Sequence, residues 1–491
     1  MEAKVNKLKD GKLRHISAAA FAAFCLAVFT ALFMLSIFRT VVHTEDAYLG
    51  EYVVTELDNG FLNIILLTIL ISASYLTYRA CEHLKLRTMM IVMLLWTLIA
   101  GCVFVYSASR APEGDAEIIA NTAFLASKGN FMAMSDYFAH YPFNMGLAFY
   151  EELVFRFLQF GFPYISKGYC FMALEVLNVL LLCGSFFVLV ITAGIIYESE
   201  EIQKQLCMLQ MLFVPVILNC TSLSGRIPSF AFAMLSVWMA TLFIKKRKIS
   251  HAVLAGVFIG ISLSMKMDSL VFLAVLTVVI AFYARNKKTF LGLILFTVFS
   301  VVVLAIPIFL CDQRMKTDFD NSELSLRTIM GLDETESGTL RYSGMYSAVS
   351  SQISHSAGSE TKEYDSGERL ELLYQQWNEP SFYSIFSNRS ANHYRQTGAL
   401  YDFVCGSGEV LLLEFMNLFQ SLLLAGAAFA SLSILRERSM IKLMPAMFLI
   451  GGLVLHLLFP SDSRYVMKYY LSLIPLTAYG FITFFDRFWA R

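Results

Sequence analysis

The sequence predicts an all-α polytopic membrane protein, and three observations support this fold class. Apolar residues make up 57% of the 491 positions and charged residues only 15%, whereas a soluble domain is roughly 45–50% apolar. The apolar residues come in blocks of about 18 or more, the length that a helix needs to cross a hydrocarbon core of ~30 Å. A β-barrel would show alternating segments of about 10 residues instead. The formal net charge is zero, so no nucleic acid is expected as a partner.

Basic residues set the expected orientation, because cytoplasmic loops carry an excess of Lys and Arg. The basic N-terminus, "KKRK" at 245–248 and "ARNKK" at 284–288 place both termini on the cytoplasmic side of the cell membrane. We expect about 12 full crossings. The candidate spans are residues 17–40, 61–80, 88–108, 143–162, 169–197, 205–222, 228–244, 251–265, 268–284, 289–311, 409–434, 441–459 and 465–485.

One of the candidates between residues 143 and 244 is not a full crossing. Three crossings place residues 109–142 outside and "KKRK" lies inside, so an odd number of crossings must separate them. One segment is therefore re-entrant, lies along the interface or is fused to its neighbour. Residues 143–162 are the least lipid-like because they contain three charged side chains, but the sequence leaves the choice open.

The chain divides into three regions. Residues 1–311 form a transmembrane region whose outer loop, 109–142, carries amphipathic helices. Residues 312–408 form a larger, irregular extracytoplasmic insert, in which "SGERLELLYQQW" has a helical pattern. Residues 409–491 form the C-terminal transmembrane helices.

The outer loop brings acidic residues to the membrane boundary. Asp115 and Glu117 follow the third span, and "AEIIANTAFLASKG" has apolar residues at helical spacing with Gly129 as a stop. This pattern predicts an amphipathic helix on the membrane surface. Asp115 lies near its start, where a carboxylate serves equally well as an N-cap or as a catalytic group.

Polar and amphipathic side chains also cluster in "SDYFAHYPFNMG", where the chain returns to the membrane. Asp136, His140, Tyr141 and Asn144 lie around Pro142, which fixes a turn. Two interpretations remain open: an interfacial belt, where such residues are common, or the lining of a substrate cleft.

Three basic residues lie at the predicted outer boundary of the membrane, although Lys and Arg are usually in excess on the cytoplasmic side. They are Arg226 in "TSLSGRIPS", Lys266 in "SLSMKMD" and Arg464, which precedes Tyr465 in "FPSDSRYVMKYY". Snorkelling, or pairing of Lys266 with Asp268, would explain each one alone. Together they favour a site for the phosphate of a lipid carrier, with Tyr465 beside it.

The order of these elements resembles the GT-C superfamily of membrane glycosyltransferases. The similarity is to family-39-type enzymes related to protein O-mannosyltransferases and aminoarabinose transferases, in the branch found in Gram-positive bacteria. Asp115 lacks the directly following Glu of the mannosyltransferases, and Asp268 replaces a usual Asn. The resemblance covers about residues 88–485 and rests on Asp115 to Gly146, "GVFIGISLSMKMD", "MGLDETESGTLRY" and "HLLFPSDSRYVMKYYLSLIPL".

The resemblance implies an enzyme that moves a sugar from a polyprenyl-phosphate donor to a glycan, lipid or protein acceptor outside the membrane. Asp115 would be the general base, with Glu117 as second choice, because an acceptor hydroxyl must lose its proton. Arg226, Lys266 and Arg464 would stabilise the leaving phosphate. Asp115, Glu117 and Asp136 offer oxygen ligands for Mg²⁺ or Mn²⁺, and the spacing does not decide whether a metal binds.

Two other classes of function remain open. About a dozen spans also suit a transporter or flippase of lipid-linked sugars, although such proteins usually carry internal repeats and ionisable residues deep within their spans. A non-enzymatic accessory protein is the third class.

Overall fold

The computed structural model describes residues 2–46, 50–131, 137–138, 141–284, 286–315, 366–394, 397–458 and 462–488. Within these residues the chain is helical almost throughout, with one two-stranded hairpin. The Ser-rich centre of the predicted insert lies outside the described residues, and so do Asp136 and His140.

The elements fall in the following order. The first half contains α1 (Glu2–Phe38), β1 (Arg39–Asp46), β2 (Gly50–Leu57), α2 (Gly60–Cys81), α3 (Leu86–Ala108), α4 (Asp115–Ser127), α5 (Met145–Gly161), α6 (Lys167–Tyr197), α7 (Glu200–Leu212) and α8 (Val214–Leu218). The second half contains α9 (Arg226–Lys246), α10 (Ile249–Met265), α11 (Leu270–Tyr283), α12 (Lys287–Met315), α13 (Ser366–Trp377), α14 (Ser384–Arg389), α15 (Ala399–Asp402), α16 (Glu409–Glu437), α17 (Met444–Leu458) and α18 (Met467–Phe488).

Eight helices among the described residues are long and apolar enough to cross a membrane, which confirms the class of a polytopic helical membrane protein. A ninth span results if α7 and α8 are counted together, although they are bent by 55°. Pro215 lies in the first turn of α8 and cannot continue the hydrogen-bond ladder of α7, which accounts for the break. The segments 249–265 and 267–283 are apolar but shorter.

The α5 helix differs from the spans on either side of it. It has 17 residues and is not one of those eight helices. Its Glu152 is 4% exposed and pairs with Arg156 at 2.7 Å and with Arg314 at 3.1 Å. A helix that holds this charge cluster is costly to place in lipid, in agreement with the expectation that residues 143–162 are the least lipid-like.

The hairpin corrects the all-α expectation. Strands β1 and β2 pair antiparallel, from Arg39 opposite Leu57 to Asp46 opposite Gly50. Val41 is fully buried, and β-branched residues on both strands favour the extended conformation. The hairpin contacts the segment before α14: the ring centre of His43 lies 4.9 Å from that of Tyr383. The sequence analysis overlooked the hairpin because it follows a long apolar helix.

The most extensive helix packing lies within the second half of the chain, and α1 packs against that half. The pairs α10–α12, α9–α10, α1–α16 and α16–α18 share the most extensive contacts. Gly480 of α18 packs so closely on α16 that a Cβ there would lie 1.9 Å from the Gly426 carbonyl oxygen. The predicted helix "SGERLELLYQQW" is confirmed as α13, and Trp377 at its end is buried to 1% exposure. This packing joins the insert to the transmembrane helices.

Candidate acid–base and phosphate site

The acidic loop is built around the start of α4. Gly114 is the N-cap residue of this helix, with φ 59° and ψ −134°, a conformation that suits glycine. Asp115 is therefore the first helical residue, and the N-cap interpretation of Asp115 is wrong in this detail. Its carboxylate still gains from the helix N-terminus. The helix ends at Ser127, and Gly129 adopts φ +90°, as the predicted stop requires.

A hydrogen-bonded chain connects Asp115 to the return of the chain towards α5. The Tyr137 hydroxyl donates to Asp115 and accepts a hydrogen bond of 2.7 Å from Asn144 Nδ2. Tyr137 is 1% exposed, so both contacts are shielded from water. Asn144 is one of the predicted lining residues, whereas Tyr137 was missed by the sequence analysis.

The surroundings of Tyr137 in this hydrogen-bonded group keep its hydroxyl neutral. Burial, and secondarily the negative charge of Asp115, raise the pKa of Tyr137 well above its ordinary value. The hydroxyl therefore remains a hydrogen-bond donor, and a donor favours the charged form of the carboxylate that it contacts. The arrangement can hold Asp115 as an oriented, ionised base.

The other residues predicted for the loop have different positions. The ring of Tyr141 lies 5.1 Å from that of Tyr137, which places it in the same cluster. Glu117 is exposed, and its backbone N–H donates to the Gly114 carbonyl. Asp136 and His140 lie outside the described residues. Asp115, Tyr141 and Asn144 therefore come together, and Glu117 points to a more solvated surface.

The predicted cations meet at the ring of Tyr465. The Arg226 guanidinium carbon lies 5.3 Å from the centre of this ring, and Lys266 Nζ lies 5.6 Å from it. A tyrosine ring attracts cations through its electron-rich face. The Nε atom of Arg226 is buried and has no hydrogen-bond partner among the described residues. Three residues far apart in sequence thus form one cationic cluster with an unused donor.

Arg464 is held beside this cluster by Asp462. The two side chains form an ion pair, and Asp462 also accepts a hydrogen bond of 2.9 Å from the Arg464 backbone N–H. Burial opposes the charge of Arg464, but Asp462 outweighs it and raises the pKa of the guanidinium above its ordinary value. The Arg464 guanidinium carbon lies 4.6 Å from the centre of the Tyr383 ring, so the insert contributes to the cluster.

Asp268 pairs with Lys468 and not with Lys266. Lys468 Nζ lies 2.5 Å from Asp268 Oδ1, and the two side chains are 7% and 3% exposed. The alternative in which Asp268 neutralises Lys266 is therefore wrong, and Lys266 forms no ion pair within the described part of the chain. Lys468 lies about one helical turn after Arg464. The sequence alone does not show that Asp268, 200 residues earlier, is its partner.

The acidic loop and the cationic cluster share a wall made by the start of α5. A Cβ at Gly146 would lie 2.0 Å from the Ser264 carbonyl oxygen, two residues before Lys266. A Cβ at Gly225, next to Arg226, would lie 2.9 Å from a Leu147 methyl carbon. Only a residue without a side chain fits at Gly146. The start of α5, next to Asn144, therefore packs directly against the segments that carry Lys266 and Arg226.

A cation site for Mg²⁺ or Mn²⁺ does not assemble from the described residues. No group of three or more His, Cys, Asp or Glu side chains gathers among them. Asp115 hydrogen-bonds to Tyr137, and Glu117, two residues later, is exposed. The third proposed ligand, Asp136, lies outside the described residues, so no chemical step is assigned to a metal.

Comparison with known proteins gives no relative: no family model, no curated protein and no solved structure matches this chain. The class of the protein, a polytopic helical membrane protein, therefore rests on its own helices, and its function on the chemistry of the site.

Proposed function

We propose that this protein is a membrane glycosyltransferase that moves a sugar from a polyprenyl-phosphate donor to a hydroxyl of an extracytoplasmic glycan, lipid or protein. The observation that carries the proposal is the cationic cluster at Tyr465, with Arg226 Nε buried and without a partner. The oriented carboxylate of Asp115 lies in the loop that packs against this cluster through α5. A general base and a phosphate site are the two parts that such a transfer needs.

The reaction assigns a task to each group. The acceptor oxygen forms a bond to the anomeric carbon, and the bond from that carbon to the phosphate oxygen breaks. The acceptor proton passes to Asp115. The electron pair stays on the lipid phosphate, which gains negative charge as it leaves and is stabilised by Arg226, Lys266 and Arg464. Asn144 and Tyr137 hold the base in position.

The resemblance to GT-C enzymes supports the same assignment. Asp115 stands in the loop where that superfamily has its acidic residue, and Arg464–Tyr465 resemble the final Arg-Tyr pair of the Gram-positive branch. The large insert, after most of the predicted spans, suits an enzyme with an external cap. The proposal accordingly places the active site on the extracytoplasmic face of the cell membrane with both termini in the cytoplasm.

The test uses purified protein in lipid vesicles with radiolabelled polyprenyl-phosphate hexoses and detergent-extracted membranes as acceptor. We expect label to move from the carrier to the acceptor, and Asp115→Asn to reduce the rate about 10²–10⁴-fold, the usual contribution of acid–base catalysis. Glu117→Gln is the matched control, because it removes a neighbouring carboxylate that is exposed, and a much smaller effect is expected. Movement of labelled carrier across the vesicle membrane without transfer would instead identify a flippase.

A further inference from the structure

The buried ion pair of Lys468 and Asp268 has an unusual hydrogen-bonding state. Lys468 Nζ lies 2.5 Å from Asp268 Oδ1, so Asp268 accepts one of its N–H groups, and no other acceptor contacts Lys468 Nζ within the described part of the chain. Lysine carries three N–H donors. The ammonium group is therefore neutralised in charge but only partly satisfied in hydrogen bonding, although it is more than nine-tenths buried.

Such a pair does not improve stability in itself. Removing two charges from water costs several kcal/mol per ion, and apolar residues of similar volume often replace a buried pair without loss. A buried donor that lacks an acceptor adds a further cost. The rings of Phe272 and Tyr469, at 5.7 Å and 5.4 Å from Lys468 Nζ, offset only part of it.

Lys468 lies on the wall of a cavity that has a charged side and an apolar side. The cavity is narrow in this structure: its free interior is about 10 Å³, roughly the room that one water molecule needs. Its charged side includes Arg226 and Arg464, and its apolar side comes from α6, α8, α9 and α18. The apolar lining residues are Leu182, Val216, Ile227, Phe230, Met467 and Leu471.

The charge of this region is not balanced. Among the described residues, the cations Arg226, Lys266, Arg464 and Lys468 face the carboxylates Asp268 and Asp462. Cations are therefore in excess beside an apolar surface. This combination fits a phosphate ester attached to a hydrocarbon chain better than a free, fully hydrated anion.

We propose that Lys468 is a further phosphate-binding residue, held by Asp268 so that its free N–H groups bind the phosphate monoester of a lipid carrier. The inference rests on the proposed function and adds a residue to it. Asp268 is a positioning residue, because it acts through Lys468. In the transfer reaction Lys468 would bind the carrier phosphate after the sugar has left, when its negative charge is greatest.

The experiment measures the binding of farnesyl phosphate and of inorganic phosphate to detergent-purified full-length protein. Lys468→Met alone leaves Asp268 buried without a partner and can fail to fold, so the double variant Asp268→Asn/Lys468→Met is tested beside it. Glu437→Gln/Lys442→Met is the matched control, because this pair also lies at 2.5 Å but is 41% and 21% exposed.

We expect the double variant to bind farnesyl phosphate about tenfold or more weakly, the effect of losing a hydrogen bond to a charged group. The control should bind as the wild type does. Inorganic phosphate should bind the wild type much more weakly than farnesyl phosphate, since it cannot use the apolar side of the cavity. Equal binding of the two probes would contradict the lipid part of the inference.

Unchanged farnesyl phosphate binding by the folded double variant would overturn the role of Lys468. If Arg226→Met still weakens binding in that case, the proposed function survives without the further residue. If the wild type itself binds no farnesyl phosphate, the proposed function fails together with the inference.

Discussion

The two ends of α9 hold their cations in opposite ways. At one end, Lys245 pairs with Glu198, and nearby Lys442 pairs with Glu437, which also accepts from the Tyr479 hydroxyl. The four charged side chains are at least one-fifth exposed. At the other end, Arg226 is held against a ring, and its Nε lacks a partner within the described residues.

The two ends differ in what their cations can do: those in exposed ion pairs serve the structure, whereas buried cations in excess are suited to bind an anion. A helix of 21 residues spans about 32 Å, so the two ends of α9 lie on opposite sides of the helical bundle. These partly exposed ion pairs contribute little to stability, and water satisfies the remaining N–H groups of their lysines. Buried cations that outnumber their carboxylates keep hydrogen-bonding capacity for an anion. This contrast is why the proposed phosphate site is assigned to the Arg226 end of α9.

The largest difference is expected when one cation is removed from each end of α9. Arg226→Met should reduce sugar transfer about 10–100-fold, because a charged hydrogen-bond donor to the phosphate is lost. Lys245→Met removes the same charge from the other end of α9 and should leave transfer unchanged. The measurement is the initial transfer rate in vesicles at saturating acceptor. Equal losses in both variants would mean that the effect is not local to the site.

A smaller effect is expected from the hydrogen bond that orients the base. Tyr137→Phe removes the donor to Asp115 and should slow transfer about tenfold. It should also move the acidic limb of the pH–rate profile to higher pH, since a donated hydrogen bond favours the charged carboxylate. The rate is measured from pH 4 to pH 8, with Tyr164→Phe as control because Tyr164 is 99% exposed. A slower rate with an unmoved profile would indicate that Tyr137 has only a packing role.

The third prediction concerns the wall between the acidic loop and the cations, and its effect is on stability and not on the transfer rate. Gly146→Ala forces a methyl group onto the Ser264 carbonyl oxygen and should destabilise the protein by about 1–3 kcal/mol. Gly184→Ala in α6 has no atom within 4 Å of the new methyl group and should be neutral or slightly stabilising, as Ala favours helices. Thermal unfolding in detergent compares them. An equally stable Gly146→Ala protein would show that α5 does not pack tightly here.

The sequence predicted those parts of the fold that follow from length and hydrophobicity. Long apolar helices such as α6 and α16 appear where the apolar runs are, because burial in lipid requires internal backbone hydrogen bonds. The bend between α7 and α8 depends on Pro215 within an otherwise apolar run. The hairpin has β-branched residues that favour strands, but it follows directly on α1, and its contact with Tyr383, more than 300 residues away, is not visible in the local sequence.

The candidate site was also predicted only in part. Arg226, Lys266 and Arg464 were identified because basic residues at an outer boundary are rare, and the structure brings them to one ring. Tyr137 and Lys468 were not selected, since a tyrosine or lysine near a helix end is common. Their significance comes from burial and from partners distant in sequence. The pairing of Asp268 with Lys468 is the clearest case of such long-range information.

The most direct test of the central claim is the release of carrier from a radiolabelled polyprenyl-phosphate hexose by purified protein in vesicles with acceptor present. The account predicts that wild-type protein releases polyprenyl phosphate as it glycosylates the acceptor, and that Asp115→Asn retains donor binding but loses release at least 100-fold. Release by Asp115→Asn at the wild-type rate, or no release by the wild type with any hexose donor, would contradict it.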